Sequence, residues 1–315
     1  MSRQSLQLEL AERPKGPIVP GRTFRIRKVP APSESDLRDG QLLLETLYVS
    51  FDPAMRGWLD DRRSYIQPVQ IGEVMRALAV CRVLASRSSK AGAGEIVTAP
   101  LGIRRWGLSG RGDWDAEEGD TVVVSAAAGA TGSVAVQIAK IAGARVIGTA
   151  GSEKKCRWLR EELGLDVALN YKDPEFRAKF KEATPKYIDV FFDNVGGEQL
   201  DMALGRANTF ARFVMCGGIS QYNAESKSGP TKNFFNIITQ RIKMEGFIVF
   251  DYASEYGDAL KQIAQWLAEG KMKRKETIIK GGVGASEEAF QQLFQGGNIG
   301  KLMVEVKNPD EVSRL

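Results

Sequence analysis

From about Gly119 the chain alternates short apolar runs with amphipathic stretches, the pattern of strands buried on both faces and helices that cover them. The runs that fit strands are Thr121 to Val124, Arg145 to Gly148, Val167 to Leu169, Ile188 to Phe192, Arg212 to Met215 and Glu245 to Val249. Between them, Ser133 to Ala142 carries apolar residues at helical spacing, Ser152 to Leu163 opens on a serine suited to cap a helix, and Glu255 to Glu269 stops before Gly270. Six strands in βαβ order predict an α/β class: a doubly wound parallel Rossmann sheet.

Before Gly119 the periodicity changes. Gln41 to Ser50 reads as a strand, and the surrounding sequence is rich in Pro, Gly and Arg without a helical repeat, which predicts a smaller, mostly β domain. Lys301 to Val306 alternates apolar and polar positions, so the C-terminal segment is expected to return to that domain as a further strand. The expected division is residues 1–118 with 270–315 as the substrate domain and 119–269 as the nucleotide-binding domain. Residues 103–118 have no regular pattern and are expected to form a loop.

Composition narrows the chemistry. At 315 residues the chain is about twice the length of an average domain, so two domains are expected. It contains no histidine, which removes His-based zinc sites, Ser-His and Cys-His nucleophiles, and histidine acid–base catalysis. No metal site is expected. Cys81, Cys156 and Cys216 show no CxxC spacing and suit a reducing compartment rather than a disulfide framework. A net charge of +5 is spread along the chain without arginine runs, so nucleic acid is not an expected partner. The basic run Lys271 to Lys275 is most simply a solvated helix end. No apolar run approaches the ~18 residues of a membrane helix, and Met1 to Ser5 leads into no apolar signal core. The expectation is a cytoplasmic protein. Its C-terminal Ser313-Arg314-Leu315 is close to a peroxisomal address, which leaves that compartment open.

The chemistry-bearing motif follows the strand Thr121 to Val124. Ala126-Ala127-Ala128-Gly129-Ala130-Thr131-Gly132 supplies a small-residue turn before a helix; Gly132 allows close helix–strand packing, and the helix N-terminus offers N–H donors to a pyrophosphate. An NAD site usually carries Asp or Glu about 20 residues further on, whereas this chain has Gly151-Ser152 followed by Lys154 and Lys155. A hydroxyl and ammonium groups suit a 2′-phosphate, so NADP(H) is the expected cofactor. Ordinary solvated helix positions remain an alternative, more readily for Lys154 than for Lys155.

With these residues in place, the sequence resembles the zinc-independent medium-chain dehydrogenase/reductases, within them the leukotriene B4 dehydrogenase, prostaglandin reductase and alkenal double-bond reductase group. The matching segments are Val49 to Gly57, Gly119 to Ser125 with its turn, Gly151-Ser152 with Lys155, Asn170-Tyr171-Lys172, Asp193 to Gly197, Cys216 to Asn223, Glu245 to Tyr252 and Asn298 to Lys301. The resemblance implies a GroES-like smaller domain and metal-free, NADPH-dependent reduction of a carbon–carbon double bond conjugated to a carbonyl. Hydride goes to the β-carbon and the enolate is then protonated. It further implies that Lys155 and Tyr171 hold the 2′-phosphate end with Ser152, and that Asn194, Cys216, Ser220 and Tyr222 lie along the cofactor. The strand carrying Phe247, Val249 and Phe250 is expected to run beside the nicotinamide, with Asn298 reaching it from the far side. Tyr252 and Tyr65 are the candidate donors to the substrate carbonyl, Tyr65 equally suiting a structural role. The expected partners are a small α,β-unsaturated carbonyl substrate and a second copy of the chain.

The sequence also departs from the group. Arg76-Ala77-Leu78-Ala79-Val80-Cys81 replaces a glycine-rich strand, and relatives run some 30 residues longer between the segments matching Val97 and Gly119. The shortening falls near residues 98–118, where the group normally supplies a helix against the nicotinamide. Two alternatives follow: a cofactor-binding member with a non-redox or lost activity on a polyketide- or lipid-like ligand, or a quinone reductase.

Overall fold

In the computed structural model, which describes residues 4–101, 116–224, 229 and 232–311, the chain divides into two compact units. One comprises residues 1–105 and 276–315, the other residues 106–275. The tail Ser313-Arg314-Leu315 and most of the expected loop at 103–118 lie outside the described residues.

The strands, in chain order, are β1 (Gln4–Leu10), β2 (Phe24–Pro30), β3 (Leu42–Ser50), β4 (Ala77–Ser86), β5 (Ile96–Leu101), β6 (Thr121–Val124), β7 (Arg145–Ala150), β8 (Val167–Asn170), β9 (Ile188–Asp193), β10 (Ala207–Met215), β11 (Lys243–Gly246), β12 (Glu276–Lys280) and β13 (Lys301–Glu305). In the larger unit six parallel strands pair in the order β11-β10-β9-β6-β7-β8. This is a doubly wound Rossmann sheet, in which the order of strand addition reverses between β6 and β9.

Two-residue periodicity sorts this sheet's side chains. Val122 and Val124 of β6 pack with Val136 of the helix Ala130–Ile141 and Leu159 of the helix Glu153–Glu161. Val123 between them faces the opposite layer, with Phe176, Phe180, Phe191 and Phe213. Both faces of the strand are therefore covered.

One expected strand ends early. Glu245 to Val249 was expected to be continuous, yet β11 stops at Gly246 and a 3₁₀ segment runs from Val249 to Glu255. The reason lies in its neighbour: β11 pairs only with β10, their register ends at Met215 opposite Gly246, and the chain turns away at Gly217-Gly218. Beyond that point Phe247 to Val249 have no ladder to join. Val249 and Phe250 therefore sit at the start of a 3₁₀ turn instead of on a strand.

In the smaller unit β1 and β2 form an antiparallel pair, and β12-β13-β3-β4-β5 form a mixed sheet. The C-terminal strand β13 lies beside β3, as its alternation implied. Strand β4 buries small side chains, Ala77, Ala79, Cys81, Val83 and Ala85, at every second position. The core centres on Phe290 of the helix Ser286–Gln295, stacked on Phe24 and edge-on to Phe51. Arg56 is almost fully buried; it donates to the carbonyls of Pro14 and Gly16 and pairs with Asp60 at 2.6 Å, so its charge is compensated.

Candidate functional site

The turn after β6 is built by exclusion of side-chain atoms. A Cβ on Gly132 would collide with the carbonyl oxygen of Ala126 and stand 2.8 Å from the Cα of Ala127, so the helix start lies directly on the turn only because that position is glycine. Ala126 itself takes a positive φ of 49°. Gly129 is extended at the helix N-cap, and its N–H donates to Ala126. Ala128, Gly129, Ala130 and Thr131 thus surround the first turn, whose free N–H groups and positive dipole end suit a phosphate.

At the end of β7, Ser152 caps the helix Glu153–Glu161, its hydroxyl accepting from the Lys155 N–H at 3.4 Å. Tyr171, following β8, lies over Gly151, and the Lys172 ammonium sits 6.0 Å from the Tyr171 ring centre. Burial, and then the neighbouring Lys172 charge, hold the Lys155 ammonium below its ordinary pKa. Among the described residues neither Lys155 nor Lys172 forms an ion pair. Two cations thus stand together with no counterion among the described residues. Lys172 was not singled out as a ligand in the sequence; only the pairing of β8 with β7 brings it to Lys155.

A buried hydrogen-bond network joins the two strands at the sheet's reversal. Ser125 Oγ donates to Asp193 at 2.7 Å and accepts from the Asn194 N–H at 2.8 Å, while the Asn194 side-chain amide donates to the Ser125 carbonyl at 2.7 Å. Asp193 also accepts from the N–H groups of Val195 and Gly196. Its burial pushes its carboxyl pKa up, against these hydrogen bonds. Ser220 donates to the Val195 carbonyl at 2.6 Å, and the Tyr222 hydroxyl accepts from the Gly218 N–H at 3.1 Å. Asn194, Cys216, Ser220 and Tyr222 are thereby gathered at the carboxyl end of the sheet, where open α/β sheets bind ligands. Asn223 adds one feature: its buried Oδ1 finds no donor among the described residues.

Further along the same edge, an open cleft of about 460 Å³ is lined by Met215, Cys216 and Gly217 after β10, by Gly246, Phe247 and Ile248 around the end of β11, and by Asp251. Burial, with Asp193 nearby, pushes the Cys216 thiol up to about 11, so it is neutral at physiological pH. Phe247 packs against Phe192 and edge-on to Tyr252, with ring centres 6.4 and 6.2 Å apart. Tyr252 has φ −101° and ψ 20°, a kink within the 3₁₀ segment, and among the described residues its hydroxyl makes no hydrogen bond.

Two sequence candidates belong to the smaller unit. Tyr65 is about half exposed and accepts from Trp58 Nε1 at 2.8 Å; Asn298 is buried, its amide donating to the Gly300 carbonyl at 2.8 Å. Among the described residues no group of three or more His, Cys, Asp or Glu side chains could hold a metal ion.

A doubly wound sheet with a small-residue turn after its first strand, joined to a mostly β unit, defines a dinucleotide-binding dehydrogenase or reductase architecture. Family comparison agrees: residues 6–114 match the N-terminal domain of oxidoreductase and residues 130–265 match zinc-binding dehydrogenase. The chain belongs to the medium-chain dehydrogenases/reductases, in their zinc-independent group. It is 35% identical to an NADPH-dependent curcumin reductase of Escherichia coli K12 over 340 aligned positions, covering 96% of each chain. It is 34% identical to prostaglandin reductase 1 of Bos taurus, covering 89% of this chain and 93% of that one. Among solved structures, CurA of Vibrio vulnificus in complex with NADPH superposes with a TM-score of 0.87 at 34% identity, covering 97% of this chain and all of that one. The 340 positions aligned with the E. coli protein exceed the 315 residues of this chain, so at least 25 positions of that relative have no counterpart here.

Proposed function

We propose that this protein is an NADPH-dependent reductase of carbon–carbon double bonds conjugated to a carbonyl, acting on enals and enones. The observation that carries the cofactor assignment is the pair Lys155 and Lys172, without an ion-pair partner among the described residues, beside Ser152 and Tyr171, a site suited to a 2′-phosphate. The curcumin and prostaglandin reductases among its relatives, and the relative solved with NADPH, support the same reading. NADPH, when bound, supplies the hydride for the β-carbon of the substrate.

The chain's own residues supply binding, orientation and a proton. Lys155, Lys172 and the Ser152 hydroxyl hold the 2′-phosphate, and Tyr171 covers the adjoining ribose end. Ala128 through Gly132 bring backbone N–H groups to the pyrophosphate. Asn223 offers its unpaired oxygen to an amide N–H of the ligand. Cys216, neutral at working pH, and Phe247 line the reducing end without adding charge. The Tyr252 hydroxyl donates to the substrate carbonyl as negative charge develops there, and protonation of the enolate completes the reduction. Tyr65 and Asn298 are the candidates from the smaller unit.

Loss of NADPH absorbance with a panel of enals, enones and quinones tests this. Consumption with enones and enals is expected; turnover of quinones alone would replace the assignment with quinone reduction. The shortfall of at least 25 aligned positions favours a second reading, cofactor binding without reduction. Tight NADPH binding with no consumption would establish it.

A second copy is the proposed protein partner, because the outer strand β11 ends the sheet and an outer strand invites pairing. Light scattering at micromolar concentration should give twice the chain mass. No helix among the described residues is long and apolar enough to cross a membrane. The cytoplasm remains the proposed compartment, with the peroxisome as the alternative that removal of the last three residues tests by imaging.

A further inference from the structure

Resting on the reductase reading, we infer that Asp251 is a specificity-determining residue: it selects enones and enals that are neutral or bear a hydrogen-bond donor at the end remote from the reacting carbons, and rejects those carrying a carboxylate there.

The cleft at the ends of β10 and β11 has a volume in the range of small-molecule sites, ~300 to 1,000 Å³. Its described lining is apolar or uncharged apart from Asp251, and no Lys or Arg faces it there. The thiol of Cys216 stays neutral, so it neither offsets nor adds to that charge. Among the described residues the Asp251 carboxylate has no ion pair and no side-chain hydrogen bond. The backbone that carries it is nevertheless anchored. The Asp251 N–H donates to the Ile248 carbonyl at 3.0 Å, and the buried Tyr256 donates its hydroxyl to the Val249 carbonyl at 2.8 Å, which ties the 3₁₀ turn to the following helix.

A carboxylate with no partner among the described residues, carried on an anchored backbone at the edge of the cleft, is a ready acceptor for a hydroxyl or amide N–H. For an approaching anion it is a like charge; Asp251 is exposed at the open cleft, so that repulsion acts through water and is screened by salt. Sequence reading had no reason to choose Asp251, since only the early end of β11 and the 3₁₀ turn bring it to the cleft.

The test uses two compounds: an α,β-unsaturated methyl ketone whose alkyl chain ends in a carboxylate, and its methyl ester. Wild-type enzyme should show kcat/KM on the order of ten-fold higher for the ester. Asp251→Asn should bring the two within about two-fold, and Asp251→Lys should reverse the order. Added salt should shrink the wild-type ratio. A wild-type ratio near one, or the same ratio in all three proteins, overturns the inference. If neither compound is reduced, it is the reductase reading that fails. Equilibrium binding of the same pair to the NADP⁺-loaded protein then decides about Asp251: the same preference and reversal support its role, and equal affinities or no binding of either compound overturn it.

Discussion

The phenol of Tyr171 closes over Gly151: its hydroxyl oxygen lies 2.9 Å from the point that a Cβ on that glycine would occupy, and two ring carbons lie at 3.2 Å. The obstacle there is the end of an exposed side chain, which can swing away. At Gly132 the obstacle is backbone, the Ala126 carbonyl and the Ala127 Cα, which cannot. Gly151→Ala should therefore change stability by less than about 1 kcal/mol while weakening NADPH binding several-fold, because the tyrosine is displaced. Gly132→Ala should lower stability by about 2 kcal/mol or more, since the helix must move off the turn. Thermal melts with and without NADPH separate the two.

Lys155→Ala should weaken NADPH binding by roughly 1.5 to 3 kcal/mol and leave NADH almost unchanged. The more exposed Lys172 should contribute less, on the order of 1 kcal/mol. The sign of the pH dependence follows from the lowered Lys155 pKa. The protonated ammonium is the form that binds phosphate, so NADPH affinity should fall on the alkaline side at a lower pH than an ordinary lysine would give. Lys172→Ala removes the like charge and should move that fall upward. Titrations across alkaline pH with both cofactors check this; equal losses for NADPH and NADH in Lys155→Ala would refute the 2′-phosphate assignment.

Tyr252→Phe retains the edge-on contact with Phe247 and removes only the hydroxyl. Losing one donor to a developing oxyanion commonly costs on the order of 10²-fold in turnover. Turnover should fall by that order with NADPH affinity unchanged. Wild-type turnover in the variant would make Tyr252 structural and shift attention to Tyr65.

Alkylation of Cys216 should be slow at neutral pH. With the thiol pushed up to about 11 from 9.0, its thiolate fraction near pH 8 is about a hundred-fold below that of an unperturbed cysteine, and reactivity should climb as pH approaches 11. Mass-spectrometric timing of iodoacetamide labelling measures this, and bound NADPH should slow it further if Cys216 lies along the cofactor.

The doubly wound sheet was legible in the chain because its signals are local. A strand buried on both faces must be largely apolar, as Val122 to Val124 are, and a helix laid tightly on a turn must place glycine at the contact, as at Gly132. The absence of a carboxylate at the very end of the second sheet strand, where Gly151 and Ser152 stand, likewise lies within one short segment; Glu153 beyond them pairs with Arg160. Tertiary structure decided what depends on distant neighbours. The end of β11 at Gly246 is set by where β10 runs out, which no property of Phe247 to Val249 reveals. Lys172 joins Lys155 because β8 pairs with β7, and Asp251 faces the cleft because the chain beyond β11 coils into a 3₁₀ turn. Periodicity records which faces of an element are buried, but the partner that buries them, and the charges it brings alongside, are properties of the folded chain alone.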